Sequence, residues 1–375
     1  EALAMSIRRE RGLVEAPTAR VDLGRILPAA RHHHVVPLLA DHMDLFGGHE
    51  SEQLLSSMRD QRRRLLAATH DLHEVVRTLA TAEVPTIVLK GLPLAVRTSG
   101  VASGRAIGDI DLLVDGPDLE RAVDALHGAG WHRRPMRANA LDGRYRRWVR
   151  FVDNHEVLVA DGRTAVEVHW RLSQSLATSG LFAGLLERST SIDVAGVPVP
   201  VLGPVDDTTF NVVHAAKHGF ERLKWAVDVA RSWIELDDGQ RAAAHATAIE
   251  WRSDRAFRFG LAMVARLGFL DGSPAGRAAA DDLSNARTER LVDAVLELPD
   301  GFRARRRRRN RVRAEFTETW SDRGRHLGEL LFPSDVLSDP RVPGPLAIPA
   351  APLRPLWRWR TVSSTDDGPR DGTTH

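Results

Sequence analysis

The first clear pattern along the chain is helical. Between residues 23 and 83, apolar side chains recur at spacings of three and four residues, the repeat of one buried face of an α-helix. The positions that carry this repeat are Leu54, Leu55, Met58, Leu65, Leu66, Leu72, Val75, Val76 and Leu79. Residues 1–22 are polar and weakly patterned. We therefore expect a loose tail over 1–22 and an N-terminal helical region over 23–83.

The pattern changes at Val84, where short apolar runs replace the helical repeat. These runs predict strands, and Gly116-Pro117 predicts the start of a helix between the second and third of them. The predicted strands cover 86–90, 110–114, 148–159 and 164–170. Residues 84–172 thus read as one small α/β unit.

After residue 172 the helical pattern returns, interrupted by a short strand pair around 191–202. The predicted helices cover 180–188, 206–235, 240–252, 254–269 and 276–297. The end of the chain is rich in Pro and has no period, so we expect an extended tail over 336–375. The predicted fold class is α+β: a small mixed sheet within 84–172, flanked by the N-terminal helices and by a C-terminal helical domain over 173–335.

Composition narrows the kinds of site that the chain can build. The 375 residues are 43% hydrophobic and 27% charged, which is ordinary for a folded protein. No long apolar run predicts a membrane span, and no signal pattern opens the sequence, so we expect a cytoplasmic protein. The absence of cysteine excludes disulfides, thiolate zinc sites and cysteine nucleophiles. Arginine dominates the basic residues, and the three lysines are Lys90, Lys217 and Lys224.

Two carboxylates stand in the apolar run at 110–114 and just before it. Asp109 and Asp111 are two residues apart, so in a strand they share a face while Ile110 and Leu112 point into the core. Two such carboxylates repel each other, and a divalent cation with hard oxygen ligands, such as Mg²⁺, resolves the repulsion. The alternative is that Asp109 caps a loop and Asp111 lies at an exposed strand end.

Two further motifs favour the metal site. Lys90-Gly91 closes one predicted strand just before a predicted helix start, where backbone N–H groups favour phosphate. In the strand at 166–170, apolar residues alternate with Glu167 and His169. If this strand lies beside that of Asp109 and Asp111, Glu167 joins them. Three carboxylates with two metals fit in-line phosphoryl or nucleotidyl transfer.

These motifs resemble a known family. The order strand, Lys-Gly, helix, D-x-D strand and third-carboxylate strand is similar to the DNA polymerase β-like nucleotidyltransferase superfamily. More closely, "VLKG" at 88–91, "RAIGDIDLLV" at 105–114 and "VEVHW" at 166–170 resemble the bacterial uncharacterised nucleotidyltransferase family. The resemblance continues into "HAAKHGFERLKWAVDVARSW" at 214–233. It implies that the mixed sheet is a nucleotidyltransferase palm.

The resemblance also implies the roles of the acidic residues. Asp109 and Asp111 would bind both metals, and Glu167 would complete the catalytic metal site and help to deprotonate the acceptor. The implied cofactor is Mg²⁺, with Mn²⁺ as a substitute, and the implied donor substrate is a nucleoside triphosphate. One departure concerns the nucleotide: the superfamily usually has Gly-Ser or Gly-Gly where this chain has Gly91-Leu92. The serine hydroxyl that often contacts a nucleotide phosphate in the superfamily is therefore absent at this position.

A polar stripe along the predicted helix 206–235 offers groups for the phosphates. His214, Lys217 and His218 lie at helical spacing with Lys224 and Asp228, and Asp228 is spaced to pair with Lys224. Alternatives for the stripe are a zinc-binding His pair or a solvated helix face. The residues predicted to bind the nucleotide are Lys90, Gly91, Arg105, His214, Lys217 and His218.

Two Arg-rich segments leave other functions open. One lies between residues 133 and 150 and the other at 303–313, and either could attract a polyanion or simply be a solvated surface. The predicted reaction moves a nucleoside monophosphate to a hydroxyl or phosphate acceptor: a small metabolite, a peptide or protein, or tRNA. Other nucleic-acid contacts are open but not favoured. The rival hypotheses are a nucleotide-binding sensor or scaffold without catalysis, and an RNA-binding factor that uses the arginines.

Overall fold

The computed structural model describes five ranges of the chain: 23–39, 48–134, 150–173, 178–297 and 312–331. Several predicted features fall outside them. These are the tails at 1–22 and 336–375, most of the run at 303–313, and much of the Arg-rich segment between 133 and 150. Three arginines of that segment, Arg133, Arg134 and Arg150, are described. Arg133 and Arg150 serve the fold, because both pair with Glu120 and Arg133 also pairs with Glu156.

The N-terminal region is helical, with α1 over Leu23–His33 and α2 over Gly48–Thr81. Helix α2 has 34 residues and joins two hydrophobic cores. Leu54 packs among the C-terminal helices, whereas Leu72 and Val75 pack against the sheet. One helix therefore connects the sheet with the helical region that follows it in sequence.

Seven strands of the described chain form one mixed sheet, in the order β3-β4-β5-β2-β1-β7-β6. They are β1 Thr86–Val88, β2 Asp109–Val114, β3 His132–Arg133, β4 His155–Val159, β5 Ala165–His169, β6 Thr190–Val194 and β7 Val197–Val201. The central strand β2 pairs antiparallel with β1 and parallel with β5. Helices flank this sheet, so the predicted fold class, α+β with a small mixed sheet between helical regions, is confirmed.

Two strand predictions need correction. The strand predicted over 148–159 begins only at His155, because residues 150–152 are helical. The strand pair predicted around 191–202 forms as β6 and β7, but it does not merely interrupt the helices. Strand β7 pairs parallel with β1 through Val88 and Val201, so the sheet extends beyond residue 172.

The helices after β1 begin with α3 beside the sheet and continue into a C-terminal bundle. They are α3 Leu92–Ser99, α4 Leu119–Gly128, α5 Phe182–Glu187, α6 Pro204–Lys217, α7 Leu223–Glu235, α8 Asp238–Glu250, α9 Asp254–Arg266, α10 Pro274–Leu283, α11 Ala286–Leu296 and α12 Trp320–Leu331.

Two long helices predicted from periodicity are each divided into two helices in the structure. The prediction over 206–235 is wrong at 218–222, where Gly219 and Phe220 both have positive φ and the chain leaves the helix. Phe220 then inserts its ring beside that of Phe259 in the core. The helix predicted over 276–297 is interrupted at Asn285, whose side chain accepts hydrogen bonds from the first backbone N–H groups of α11.

The two faces of the sheet bury different sets of side chains. Ile110 and Leu112 of β2 lie in the core formed with α2 and α4, as their alternation predicts. The opposite face meets a smaller core that includes Leu113 of β2 and Phe210 of α6. Asp109 and Asp111 share that second face, so the pleat of β2 aims both carboxylates toward the C-terminal helices.

Candidate active site

The parallel pairing of β2 with β5 brings the three predicted carboxylates together. Asp111 lies directly opposite Glu167 in the register, and Asp109 stands one pleat earlier on the same face. One oxygen from each of the three side chains lies within 4.8 Å of the others. The geometric part of the sequence prediction, that Glu167 joins the aspartate pair, therefore agrees with the structure.

Asp111 is the most deeply buried member of this cluster. Its side chain is 0% exposed, so the alternative of an exposed carboxylate at a strand end is wrong for this residue. Lys90 Nζ lies 2.9 Å from Oδ1 of Asp111, and His169 Nε2 lies 3.2 Å from the same oxygen. Burial alone raises the pKa of Asp111, but Lys90 and His169 outweigh burial and hold that pKa below its usual range.

The other two carboxylates respond differently to their surroundings. The pKa of Asp109 is raised, first by the negative charge of Asp111 and then by burial. Burial also acts to raise the pKa of Glu167, but His169 beside it lowers that pKa overall. At Asp109 the charge of Asp111 and burial together outweigh the positive charges of Lys90 and Lys224.

The donor set fits a divalent cation. Oδ2 of Asp111 is buried and has no hydrogen-bond partner among the residues that the structure describes. A buried carboxylate oxygen without a partner is costly, and it lies within a group of hard oxygen donors. Asp109, Asp111 and Glu167 are therefore suited to hold a Mg²⁺ or Mn²⁺ ion.

Two histidines beside Glu167 are part of the site, and the sequence motifs predicted a role for neither. His169 follows Glu167 on the same face of β5, and His155 of β4 lies directly opposite His169 in antiparallel register. Their rings stack with centroids 4.8 Å apart. The alternation in "VEVHW" could have identified His169, but His155 depends on a strand pairing that its own segment does not indicate.

Lys90 and Gly91 lie where β1 meets α3. Gly91 has φ +75° and ψ −133°, a backbone conformation that favours glycine, and it directly precedes the first residue of the helix. Lys90 pairs with Asp111 rather than pointing freely into a phosphate site, and its Nζ also lies 3.5 Å from Nε2 of His214. Burial, then the positive charge of Lys90, lowers the pKa of His214 well below its ordinary value.

The predicted stripe of polar residues is divided between two helices. His214 and Lys217 end α6, His218 follows them, and Trp225 comes from α7. The rings of His218 and Trp225 nevertheless stack with centroids 4.8 Å apart, and His214 lies against both. The turn at Gly219 thus folds α7 back so that residues of both helices reach the same edge of the site.

Arg105 is fixed by a buried ion pair across that edge. Its Nε lies 3.0 and 3.1 Å from the two carboxylate oxygens of Asp228 on α7. The expected pairing of Asp228 with Lys224 is therefore replaced by a pairing with Arg105. Burial, and next the charge of Arg105, lower the pKa of Lys224 to about 8. The Arg105–Asp228 pair links the chain just before β2 to the C-terminal helices.

No helix among the described residues is long and apolar enough to cross a membrane. No protein of curated function matches the chain. One similar solved structure is that of an antigenic nucleotidyltransferase-like protein from Paracoccidioides brasiliensis, at 13% identity and a TM-score of 0.36. That likeness covers 57% of this chain and 92% of the other.

The family resemblance covers most of the folded chain. The sequence profile described as uncharacterised nucleotidyltransferase matches residues 19–268. This span contains both strands that carry the carboxylates and the helices that face them, so it encloses the whole candidate site. The resemblance predicted from the three motif blocks is confirmed, and the chain belongs to the uncharacterised nucleotidyltransferase family.

Proposed function

We propose that the protein is a metal-dependent nucleotidyltransferase that moves a nucleoside monophosphate from a nucleoside triphosphate to a hydroxyl or phosphate acceptor, with release of pyrophosphate. The observation that carries this proposal is the convergence of Asp109, Asp111 and Glu167 from two adjacent parallel strands. Family membership supports a transferase, and the oxygen donors support Mg²⁺ or Mn²⁺ as the cation.

In this proposal the three carboxylates hold the divalent cations. Bound there, the metals would neutralise charge on the α-phosphate and lower the pKa of the acceptor. Lys90 acts through Asp111: its ammonium compensates the buried carboxylate and fixes the direction of Oδ1, leaving Oδ2 for a cation. Glu167 is more exposed than Asp111, and we assign to its carboxylate the deprotonation of the acceptor.

The proposed nucleotide lies between the sheet and helices α6 and α7. Lys217 and His218 are half-buried at this edge and supply charge and a ring donor for the triphosphate. His214 and Gly91 line the same place, with Gly91 allowing close approach of the backbone to a phosphate. Arg105 is held in place by its pair with Asp228, and we assign it to the same nucleotide site.

The direct test compares Asp111→Asn with the native protein. Each labelled nucleoside triphosphate is incubated with Mg²⁺ or Mn²⁺ and a cell extract, and pyrophosphate release and labelled products are measured. The asparagine variant keeps the shape of the side chain but removes its charge, so release should fall by several orders of magnitude. Asp124→Asn on the exposed face of α4 is the matched control and should not change release.

Other outcomes distinguish the rival functions. Unchanged pyrophosphate release in Asp111→Asn would reject the enzymatic proposal. Metal-dependent binding of a nucleotide without turnover against any acceptor would favour a sensor or scaffold. RNA affinity that falls steeply with salt and survives loss of the carboxylates would favour an RNA-binding factor.

A further inference from the structure

Beside the three carboxylates lies a second group of ligand atoms with different chemistry. His155, Glu167 and His169 each offer one donor atom, and these atoms lie within 4.8 Å of one another. The group contains two imidazoles and one carboxylate, whereas the carboxylate cluster offers oxygen alone. Glu167 belongs to both groups.

Two distances in this group are longer than good hydrogen bonds and close to the separation of two ligands on one cation. Nε2 of His155 lies 3.7 Å from Oε2 of Glu167, and Nε2 of His169 lies 3.5 Å from the same oxygen. A good hydrogen bond to an imidazole is shorter, at about 2.7 to 3.2 Å. Two ligands that each lie about 2.1 Å from one metal at tetrahedral angles are about 3.4 Å apart.

Two buried polar atoms near the two rings have no hydrogen-bond partner among the described residues. Nδ1 of His155 is buried and has no hydrogen-bond partner among the described residues, and its nearest acidic oxygen, on Asp153, is 3.8 Å away. Asn154 places Nδ2 3.1 Å from Nδ1 of His169, while Oδ1 of the same amide has no described partner. The same Nδ2 donates to the backbone oxygen of Arg171 at 3.3 Å. A half-turn of the amide would give up that bond and let Oδ1 accept from Nδ1–H of His169, which is the tautomer that frees Nε2 for a metal.

We propose that His155, His169 and Glu167 form a site for a transition-metal dication such as Mn²⁺, adjoining the carboxylate cluster through Glu167. Imidazole nitrogen is a poor ligand for Mg²⁺ but suits first-row transition metals, so this site selects among the cations that the oxygen donors alone would accept. The inference rests on the proposed function because Glu167 bridges the two groups and thereby makes the second cation part of the same centre.

His169 has a competing role that the experiment must separate. Its Nε2 also lies 3.2 Å from Oδ1 of Asp111, so it can serve as a hydrogen-bond donor to that carboxylate without binding metal. His155 does not contact Asp111: the second carboxylate beside it is that of Asp153, 3.8 Å from Nδ1 and beyond hydrogen-bond distance, so Nδ1 has no hydrogen-bond partner among the described residues. Substitution of His155 therefore tests the metal site with the least disturbance to Asp111.

The test uses Mn²⁺ and the full chain without a purification tag. Electron spin echo envelope modulation detects ¹⁴N coupling when an imidazole coordinates Mn²⁺, and it does so without any turnover. The native protein should show this coupling, and Mn²⁺ should bind more tightly than Mg²⁺ in calorimetry. His155→Asn should weaken Mn²⁺ binding by at least about tenfold and reduce the ¹⁴N modulation. His49→Asn, on an exposed position of α2, is the matched control and should change neither.

The possible results distinguish failure of the histidine site from failure of the proposed function. Pyrophosphate release that requires Asp111, without ¹⁴N coupling in the native protein, would overturn the histidine site and leave the proposed function standing. ¹⁴N coupling without any nucleotide turnover would support the site and count against the proposed function. Coupling that persists unchanged in both His155→Asn and His169→Asn would place the imidazole elsewhere and overturn the site.

Discussion

Lys90 and Asp111 form an ion pair from which water is almost completely excluded. Nζ lies 2.9 Å from Oδ1, the lysine side chain is 10% exposed, and the aspartate side chain is 0% exposed. Burial opposes the charge on both groups, yet each keeps the other ionised: the pKa of Lys90 is raised and that of Asp111 is lowered. With Lys90 beside it, Asp111 can stay charged at the centre of the sheet, and a carboxylate must be charged to bind a metal ion.

We expect Lys90→Met to destabilise the metal-free protein strongly. Methionine keeps the approximate length of the side chain but leaves the charge of Asp111 without its main partner, which typically costs about 3 to 5 kcal/mol. The measurement is urea unfolding followed by circular dichroism. A free energy of unfolding equal to that of the native protein would show that Asp111 does not need Lys90 to remain buried.

Lys224, unlike Lys90, has a lowered pKa, and this predicts that the free energy of unfolding depends on pH. Its folded pKa of about 8 lies below the ordinary value of 10.5, first because it is buried. Between pH 8 and 10.5 the unfolded chain therefore binds more protons at this position than the folded chain, so the native protein gains stability as the pH rises. Lys224→Met lacks this titration and should be at least as stable as the native protein at pH 7.

The measurement for Lys224 is the difference in the free energy of unfolding between the native protein and Lys224→Met, from pH 7 to pH 10.5. Taking the difference removes the titration of groups common to both proteins. The relative stability of the native protein should rise through this window. A difference that stays constant with pH would contradict the lowered pKa.

The pair of Arg105 and Asp228 predicts strong coupling between the sheet and α7. Both side chains are buried, and the guanidinium contacts both carboxylate oxygens. Removing either partner leaves a buried charge, so Arg105→Met and Asp228→Leu should each cost about 3 kcal/mol or more. The double variant should cost less than the sum of the two. Additive costs in the double-mutant cycle would show that the pair is not coupled.

Close packing of α6 and α9 predicts that an otherwise favourable helix substitution will harm the fold. A Cβ atom on Gly260 would lie 2.6 Å from Cγ1 of Val212 and 3.1 Å from its backbone oxygen. Gly260→Ala should therefore lower the free energy of unfolding, by about 1 to 3 kcal/mol. Gly324→Ala on α12 is the matched control, since nothing lies within 4 Å of the added atom. It should raise stability by about 0.5 to 1 kcal/mol, the gain in helix propensity.

The parts of the site that sequence predicts are those fixed by local alternation. Asp109 and Asp111 share a face because a strand repeats every two residues, and Glu167 follows the same rule within its own strand. The meeting of the two strands depends on a pairing that no local pattern encodes. It could be expected because the motif order matched a family in which those strands are neighbours.

The features that sequence reasoning missed depend on long-range contacts or on single backbone angles. His155 enters the site only through the register of β4 against β5. The break at Gly219 is invisible to periodicity because polar residues continue at helical spacing on both sides of it. Likewise, the edge formed by β6 and β7 joins the sheet through β1, which lies about a hundred residues earlier in the chain.

The central claim is that Asp109, Asp111 and Glu167 bind shared divalent cations. Crystals grown with Mn²⁺ and a non-hydrolysable nucleoside triphosphate analogue allow the metal to be located by anomalous diffraction at the manganese edge. We predict an anomalous peak within about 2.0 to 2.6 Å of oxygens from these three side chains. A peak bound by other residues, with the three carboxylates bound to no metal, would contradict the account.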